Sequence, residues 1–452
     1  MKTLDYTQYK IFRDNLDNNY LYITDTNSLF KADENVLKTI QQEGNDYEKA
    51  YDNISDAMNK EEFENLVLSL EREGLLQNNK EIIKKEIKSY PRDVRGITLM
   101  ISQDCNLRCT YCYGDGGEYF DKGHMSFEVA QKSVDFLVEN SITEEPLLIS
   151  FLGGEPLINF KLIKEVVQYC KNIMENSDKK FRYSITTNGT VFNDEINKFL
   201  IENKFTTQIS VDGKKEVHDI NRIYSNGKGS FEKLKENTKF LRENSFITAR
   251  ATITGTNLDL IENFEELEKL GFVGIPMAPA QNLLTEEEYE TLIEKDEQLS
   301  LYFLNLIQSG DYKRAKKLRM PYSMIEDIHD GKYKKELICG SGNTMCAIDI
   351  NGKVYPCHRF VGIKEQSIGD VFDNTFENKE YLDTINIKNR KQCNNCWART
   401  LCVGGCSHEN LVNGGNFLTT PEKHCKYIKS HISHFINVYI NLNEEQKKIL
   451  FN

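Results

Sequence analysis

The segment Cys105-Asn-Leu-Arg-Cys109-Thr-Tyr-Cys112 organises this chain, because it places three thiols within eight residues. Neither a helix nor a strand puts all three on one face, so we expect a loop wrapped around a bound group. Three thiolates are one fewer than a closed tetrahedral zinc site uses. They suit an iron–sulfur cube in which one iron stays open for a small molecule. The alternatives are a zinc site completed by His124 and a chance clustering of cysteines.

Composition narrows the class of protein. The chain has 452 residues and a formal net charge of −12. Its length suggests roughly two or three domains, and its charge argues against nucleic acid or an anionic membrane as a partner. No stretch approaches a membrane span and the N-terminus lacks an apolar signal region, so we expect a cytoplasmic protein with reduced thiols. Twelve cysteines in that compartment are predicted to bind metal rather than to form disulfides.

The spacing CxxxCxxC, with an aromatic residue before the last cysteine, resembles the signature of the radical S-adenosylmethionine (SAM) enzymes. The resemblance implies that Cys105, Cys109 and Cys112 are the catalytic ligands of a 4Fe–4S cluster. It also implies that this cluster binds SAM and that Tyr111 lies beside the cofactor.

From Gly96 onward, predicted strands and helices alternate. Strands are predicted at 97–101, 147–152, 181–186, 206–211, 247–253 and 272–276, with helices such as 160–174 and 231–244 between them. Six such units predict an α/β fold whose sites gather at the carboxyl ends of the strands. The resemblance implies a partial (β/α)6 TIM-like radical SAM barrel over residues 91–280. A helical bridge over residues 281–338 is predicted to follow it.

Three short motifs end these strands: Gly153-Gly-Glu-Pro156, Thr187-Asn-Gly189 and Ser210-Val-Asp-Gly213. Glycines let a ligand approach the backbone, and a carboxylate suits an ammonium group. Their resemblance to family motifs implies that SAM is bound by Tyr111, Gly153, Gly154, Glu155, Thr187, Asn188, Ser210, Asp212 and Arg250.

Individual roles follow from the same resemblance. Glu155 would receive the amino group of SAM and Ser210 its carboxylate. Arg250 is either a second partner of that carboxylate or a member of an ion pair in the barrel wall. The segment that holds His218, Asp219 and Arg222 is predicted to be structural.

Residues 1–90 form a separate predicted module. Strands are expected at 9–13, 20–24 and 28–31, and helices at 32–40, 47–54 and 60–75. This pattern is typical of a winged helix and resembles the peptide-recognition element of enzymes that modify ribosomally made peptides. The resemblance implies that a leader peptide binds as an added edge strand, whereas the alternative is a packing or dimerisation domain. The charged run 78–88 is predicted to be a linker or a bridging helix.

Residues 339–452 hold a second group of cysteines that resembles the SPASM domain. The resemblance implies two auxiliary 4Fe–4S clusters, an outer one on Cys393, Cys396, Cys402 and Cys425 and an inner one on Cys339, Cys357 and Cys406. Cys346 is expected to complete the inner cluster, with a buried thiol in a strand as the alternative. Two four-thiolate zinc knuckles are the other metal alternative.

Three further residues are expected to have no ligand. Cys170 lies on an apolar helical stripe and is predicted to be a core residue. His431 and His434 lack an obvious partner set and are predicted to be surface or packing residues.

Together these features resemble the maturases that cross-link precursor peptides, such as those that form thioethers in sactipeptides and ranthipeptides. The resemblance implies SAM and three 4Fe–4S clusters as cofactors. It implies a ribosomally synthesised, cysteine-rich precursor peptide as substrate and an external electron donor such as flavodoxin or ferredoxin, with neither nucleic acid nor membrane as a partner.

Three other functions remain as alternatives. One is an anaerobic sulfatase-maturating enzyme, which forms formylglycine. That class commonly has an aspartate where this chain has His358, directly after Cys357. The others are a carbon–carbon or carbon–oxygen cross-linking enzyme and a non-catalytic electron-transfer or zinc scaffold.

Overall fold

The computed structural model of the chain describes residues 3–76, 93–331 and 336–451. The charged run 78–88, predicted to be a linker or a bridging helix, lies outside the described residues. Among the described residues, no helix combines the length and the apolar character needed to cross a membrane.

The N-terminal module is a small three-stranded sheet covered by three helices. Its elements are β1 (Tyr9–Arg13), β2 (Asn19–Ile23), β3 (Ser28–Ala32), α1 (Glu34–Ile40), α2 (Tyr47–Asp52) and α3 (Lys60–Arg72). The strands are antiparallel in the order β1-β2-β3. Leu21, Phe63 and Leu70 belong to a hydrophobic core that is separate from that of the rest of the chain. The predicted strands and helices are confirmed. The winged-helix assignment is not confirmed, because the module begins with a complete three-stranded sheet and all three helices follow it.

The central region is built on six parallel strands. They are β4 (Gly96–Gln103), β6 (Leu147–Gly153), β7 (Phe181–Thr187), β8 (Thr206–Ser210), β9 (Ile247–Ile253) and β10 (Met277–Pro279), with the short β5 (Gly123–His124) paired antiparallel to β4. Their spatial order is β10-β9-β8-β7-β6-β4. This arrangement confirms the predicted α/β fold of six parallel strands.

The position of the sixth strand was wrong. The run 272–276 lies beside β9 and is hydrogen-bonded to it through the backbones of Val273, Gly274 and Pro276. It forms only an isolated bridge, between Thr248 and Gly274, and the continuous ladder with β9 begins at Met277. Phe272 and Ile275 are buried in the core. Their burial explains why the run is apolar without being a strand.

Seven helices cover this sheet: α4 (Phe127–Glu139), α5 (Phe160–Asn176), α6 (Asp194–Glu202), α7 (Lys215–Asn221), α8 (Phe231–Asn237), α9 (Lys239–Asn244) and α10 (Leu260–Lys269). Helix α5 buries the stripe Leu162, Ile163, Val166, Val167 and Cys170, so the prediction that Cys170 is a core residue is confirmed. The single helix predicted over 231–244 is instead two helices divided at Thr238.

A helical segment and the C-terminal region complete the chain. The helices are α11 (Glu286–Gln308), α12 (Tyr312–Lys317), α13 (Arg319–Asp330), α14 (Lys379–Ile385), α15 (Arg399–Cys402), α16 (Ser407–Gly414), α17 (Glu422–Ile440) and α18 (Glu444–Phe451). The strands are β11 (Met345–Ile348), β12 (Lys353–Tyr355), β13 (Gly369–Asp370) and β14 (Thr375–Phe376). Because β11 pairs in parallel with β4, the C-terminal strands continue the central sheet.

The N-terminal module docks on the C-terminal region through Trp397. The Trp397 ring packs edge-on against Phe12 and Tyr22, with ring centroids 5.8 and 6.2 Å apart. Lys10 Nζ lies 4.0 Å from the centre of the Trp397 ring, and Thr24 Oγ1 donates a hydrogen bond of 2.8 Å to the Trp397 carbonyl. Since Trp397 directly follows Cys396, the module packs against the loop of the predicted outer cluster.

Candidate active site

The side chains of Cys105, Cys109 and Cys112 line a single cavity of about 840 Å³. Their loop follows β4, a strand that is buried along its whole length. The Thr110 amide donates a hydrogen bond of 2.9 Å to the Asn221 carbonyl and so ties the loop to the end of α7. The three predicted catalytic cysteines are therefore together at the carboxyl end of a central strand, as the sequence indicates.

Donors surround the first of these sulfurs. The Leu107 amide lies 3.4 Å and the Asn188 side-chain amide 3.8 Å from Cys105 Sγ. Burial raises the pKa of the Cys105 thiol to about 12, and negative charge on Glu155, Cys109 and Cys112 adds to the shift, against the Leu107 hydrogen bond. Such a thiol stays protonated at neutral pH unless a metal displaces its proton. A partly buried set of three thiols, with N–H donors at the first of them, fits an iron–sulfur cluster.

The Gly-Gly-Glu-Pro segment approaches this loop closely. A Cβ on Gly153, where φ is 140°, would lie 2.2 Å from the Ser102 carbonyl oxygen, and one on Gly154 would lie 2.3 Å from that of Asp104. Only glycine fits at either position. Both glycines line the cavity, as predicted.

The environment of Glu155 differs from the predicted one. Its carboxylate is fully buried and already accepts three hydrogen bonds from the protein. It accepts hydrogen bonds from Thr187 Oγ1 at 2.7 Å, from the Asn188 amide at 2.7 Å and from the Leu157 amide at 3.0 Å. Burial raises the pKa of Glu155 to about 7 against the effect of these donors. The Glu155 side chain therefore positions the Thr187-Asn188 turn. This geometry does not show the predicted direct contact between its carboxylate and the amino group of SAM.

Asp212 likewise holds neighbouring groups in place and does not itself line the cavity. It is fully buried and accepts hydrogen bonds from the Tyr111 hydroxyl, from Arg222 Nε at 3.0 Å and from the Thr252 amide at 2.9 Å. Tyr111 and Arg222 both line the cavity. Burial raises the pKa of the Cys109 thiol, and the positive charge of Arg222 opposes that shift. Arg222 is thus closer to the chemistry than the structural role predicted for it.

The remaining predicted SAM-binding residues face the cavity. Thr187, Asn188, Ser210 and Arg250 all line it, and Ser210 pairs with Arg250 in the ladder between β8 and β9. Within the described part of the chain, no carboxylate lies within ion-pair distance of Arg250, so the alternative of an ion pair in the wall is not observed. Burial lowers the pKa of Arg250, mainly by desolvation. A buried, unpaired guanidinium beside a hydroxyl is suited to an anionic group of a ligand.

The four predicted outer-cluster cysteines are electrostatic neighbours. Burial raises the pKa of the Cys402 thiol to about 12, and negative charge on Cys425, Cys393 and Cys396 adds to the shift. Cys425 lies at the start of α17 and Cys402 at the end of α15. The structure therefore brings together the outer set that the spacing suggests.

The inner set is also brought together. Burial raises the pKa of the Cys357 thiol to about 11, and negative charge on Cys406 and Cys339 adds to it, against the hydrogen bond from the Arg359 amide. Among residues 3–76, 93–331 and 336–451, no three His, Cys, Asp or Glu side chains are arranged to hold a single metal ion. The cluster assignments therefore rest on the sequence spacing and on these shared surroundings.

Cys346 is placed differently from the other predicted ligands. It lies in β11, opposite Ile97 of β4, within the main hydrophobic core. Burial alone raises the pKa of its thiol to about 12, with no contribution from another thiolate. This environment favours the alternative of a buried thiol in a strand.

The wall of the cavity opposite the three cysteines comes from the C-terminal region. His358, Arg359, His424 and His431 all line it. Burial lowers the pKa of His358 to about 3, helped by the positive charges of Arg359 and Arg250. Arg359 pairs with Glu409, which also lines the cavity.

The prediction that His431 and His434 lack a partner set was wrong, whereas the packing role predicted as one alternative is confirmed for His431, which is buried against Tyr427 and Phe435. Nδ1 of His431 lies 2.8 Å from one carboxylate oxygen of Asp296, and Nδ1 of His434 lies 2.8 Å from the other. Asp296 and His431 are 1% and 4% exposed. Asp296 lies on α11 and the histidines on α17, so no local sequence pattern could have identified the pair.

Two family models match the chain. The Radical SAM superfamily matches residues 99–272, and the SPASM iron–sulfur cluster-binding domain matches residues 339–397. The first match covers five of the six parallel strands, from Leu99 of β4 to the end of β9, together with the Cys105–Cys112 loop. The second begins at Cys339 and includes Cys357, Cys393 and Cys396.

Relatives and solved structures agree with these matches. A cysteine-type anaerobic sulfatase-maturating enzyme of Clostridium novyi (strain NT) is 28% identical over 365 residues, which are 74% of this chain and 93% of that enzyme. The radical SAM cyclopropyl synthase TigE of Paramaledivibacter caminithermalis is 24% identical over 408 residues, 85% of this chain and 83% of that protein. Native anSMEcpe with bound AdoMet and Cp18Cys peptide has a TM-score of 0.64 at 22% identity, covering 77% of this chain and 100% of that one.

The matched domains, the parallel sheet and the three cysteines in one cavity lead to the same conclusion. The chain carries a radical SAM domain over residues 99–272 and a SPASM iron–sulfur cluster-binding domain over residues 339–397.

Proposed function

We propose that this enzyme cross-links a ribosomally made, cysteine-rich precursor peptide by joining a cysteine sulfur to a carbon of an acceptor residue. The observation that carries the proposal is a cleft of about 560 Å³ between β3 and α3 of the N-terminal module. Its lining includes Leu29, Phe30, Lys31, Leu66 and Ser69. Among the described residues, β3 pairs only with β2. A sheet edge beside a cleft with both polar and apolar lining residues is suited to an added peptide strand.

Two helices connect this cleft with the catalytic cavity. Met320 and Met324 of α13 line the cavity, and Ile328 of the same helix lines the cleft. On α17, His431 lines the cavity and Tyr439 lines the cleft. Met320 and Ile328 are eight residues apart on α13, and His431 and Tyr439 are eight residues apart on α17. Each helix therefore runs about 12 Å from the cavity to the cleft. A peptide held in the cleft by its leader therefore needs only about four extended residues to span that distance.

The cofactors have defined places in this proposal. When bound, SAM and the three 4Fe–4S clusters supply hydrogen abstraction at carbon and accept the electron that the new bond releases. The chain itself holds the Cys105–Cys112 loop through Tyr111, Asp212 and Arg222. Arg250 and Ser210 are placed to bind the carboxylate of SAM.

The walls of the cavity supply the apolar surroundings and the polar contacts that the reaction needs. Leu152, Met324 and Ile428 give it an apolar lining that favours exclusion of water from a reactive intermediate. Three buried polar atoms of residues that line the cavity, Gln281 Oε1, Arg359 Nε and His424 Nδ1, have no hydrogen-bond partner within the described residues and would be available to the peptide. An external one-electron donor, such as flavodoxin or ferredoxin, is part of the proposal.

Formylglycine formation is the second candidate, because the chain is 28% identical to the Clostridium novyi sulfatase-maturating enzyme over most of both proteins. The resemblance places an aspartate base where this chain has His358. Burial, with Arg359 and Arg250, lowers the pKa of His358 to about 3, so its ring is neutral and weakly basic. The two candidates share a polypeptide substrate and differ in its product.

Mass spectrometry separates the candidates. The reduced, cluster-loaded enzyme is incubated anaerobically with SAM and a precursor peptide containing a leader and several cysteines. Each thioether should lower the peptide mass by about two daltons and remove one iodoacetamide-reactive thiol. An aldehyde that reacts with a hydrazide would instead support formylglycine formation. Normal cross-linking of a peptide without cysteines would support carbon–carbon or carbon–oxygen bonds.

A matched pair of variants tests the cleft. Leu66 lines the cleft, whereas Leu68 lies on the same helix, is 47% exposed and does not line it. Leu66→Glu should weaken leader binding at least about tenfold, because it replaces one of the apolar side chains of the cleft by a charged one. Leu68→Glu should bind the leader like the parent. Equal leader affinity for both variants and the parent would remove the cleft from the proposal.

A further inference from the structure

Asp296 and His431 form a buried carboxylate–imidazole pair at the wall of the catalytic cavity. His431 Nδ1 lies 2.8 Å from Asp296 Oδ1, and the His431 ring lines the cavity while only 4% exposed. Within the described residues, no hydrogen bond occupies His431 Nε2. A carboxylate that accepts the Nδ1 hydrogen leaves the Nε2 lone pair free, which is the orientation that a general base requires.

The surroundings preserve this orientation. The second Asp296 oxygen is held by His434 Nδ1 at 2.8 Å, so the carboxylate is fixed from both sides. The His431 ring packs between Phe435 and Tyr427, with ring centroids 4.8 and 5.9 Å away. These contacts leave the ring little freedom to turn its Nε2 away.

The titratable groups around His431 are few. Asp296 from α11 contacts it, Tyr427 packs on it and His434 shares its Asp296 partner, while His424, Arg359 and Glu409 line the same cavity. Burial raises the pKa of the Tyr427 hydroxyl well above its usual value. Burial acts to raise the pKa of Asp296, but the charges and hydrogen bonds of His431 and His434 outweigh it and lower the value to about 2. Asp296 is therefore a fixed anion throughout the neutral range.

We propose that His431 accepts the proton of the substrate cysteine thiol and that Asp296 positions its ring for this transfer. The inference rests on the proposed function and adds to it the group that ionises the sulfur. In the step, the S–H bond breaks, its electron pair stays on sulfur and the proton binds Nε2. No electron leaves either group, so the transfer needs no oxidant. The resulting thiolate is the form of cysteine that bonds to carbon.

The test measures two products from one deuterated peptide. Deuterium on the acceptor carbon that appears in 5′-deoxyadenosine reports hydrogen abstraction, and the mass of the peptide reports cross-linking. His431→Asn keeps an N–H donor to Asp296 but has no base at Nε2. It should retain hydrogen abstraction and lower cross-links per abstraction about 100-fold, as expected for loss of a general base. Asp296→Asn should shift the pH dependence of that ratio.

Two controls keep the test decisive. Asn437→Ala changes an exposed residue of the same helix that does not line the cavity, and it should cross-link nearly like the parent. A substrate with selenocysteine, whose selenol is already ionised at neutral pH, should restore cross-linking by His431→Asn. If His431→Asn does not fold, the parent should still show cross-linking that rises with pH for cysteine but not for selenocysteine.

Contrary outcomes are equally clear. A parent-like ratio in His431→Asn, or equal losses in His431→Asn and Asn437→Ala without selenocysteine rescue, would overturn the role of His431. A pH dependence shared by cysteine and selenocysteine would do the same. Failure of the parent enzyme to form any thioether would instead count against the proposed function itself.

Discussion

Buried polar groups are satisfied to different degrees in the two halves of the catalytic cavity, with the unpaired Arg250 in one half and the Asp296–His431 pair in the other as exceptions. In the half formed by the parallel sheet, Glu155 and Asp212 each accept three or more hydrogen bonds from neighbouring protein groups. In the half formed by helices and the C-terminal region, Gln281 Oε1, Arg359 Nε and His424 Nδ1 are buried without a hydrogen-bond partner in the part of the chain that the structure describes.

This difference indicates that the two halves of the cavity have different functions. Satisfied networks hold side chains in one geometry and so preorganise a cofactor site. Unsatisfied buried groups cost stability unless a ligand completes them. The sheet half therefore resembles a finished site for SAM and its cluster, whereas the helical half keeps hydrogen-bonding capacity for a substrate.

The largest effect is expected from removing the centre of the sheet half. Changing Cys105, Cys109 and Cys112 together to Ala should abolish SAM cleavage and remove one cluster from the anaerobically reconstituted protein, because no other ligands for that cluster line the loop. Iron analysis and SAM-cleavage assays measure both effects. Cys170→Ala is the matched control, since this buried thiol lies in α5. SAM cleavage by the triple variant would contradict the assignment.

Glu155→Gln tests whether the sheet half is preorganised. The amide can no longer accept all three hydrogen bonds, so the apo protein should lose about 1–3 kcal/mol of unfolding free energy. Burial raises the pKa of Glu155 to about 7. Between its ordinary value and 7 the native state binds the extra proton, so the stability that this group contributes falls as pH rises. Chemical denaturation should therefore show that the difference in unfolding free energy between the parent and Glu155→Gln shrinks as pH rises across that window.

Gln281→Met probes the opposite expectation in the helical half. Replacing an unpartnered buried amide by an apolar side chain of similar volume should leave the unfolding free energy within about 0.5 kcal/mol or raise it. The same change should raise KM for the peptide without affecting SAM binding. A loss of stability as large as that of Glu155→Gln would erase the contrast between the two halves.

The smallest effect is expected at Cys346. Its thiol lies in the core beside β4, and its environment lacks a neighbouring thiolate. Cys346→Ala should therefore leave the spectrum of the inner cluster unchanged, while Cys357→Ala should alter it. A perturbed spectrum in Cys346→Ala would restore Cys346 to the ligand set.

Local patterns in the sequence predicted much of this architecture. The alternation of apolar runs and helical stripes identified five of the six parallel strands within a few residues, and the cysteine spacing identified a shared site. Both signals are local, because strand burial and loop ligation depend on neighbouring residues. The N-terminal strands and helices were found in the same way.

The features that the sequence missed depend on distant contacts. The Gly-Gly-Glu-Pro motif does not reveal that Glu155 turns inward to the Thr187-Asn188 turn. Asp296 and His431 come together only because α11 packs on α17. The apolar run 272–276 looks like a strand because burial in the core and burial in a sheet leave the same composition.

Transfer of hydrogen from the peptide to SAM-derived 5′-deoxyadenosine tests the central claim most directly. A precursor peptide deuterated at the acceptor carbon is incubated with the reduced enzyme, and both products are examined by mass spectrometry. The account predicts deuterium in 5′-deoxyadenosine and a peptide that has lost one deuterium, one hydrogen and one free thiol for each cross-link. A cross-linked peptide that retains its deuterium, or 5′-deoxyadenosine without deuterium despite cross-linking, would contradict it.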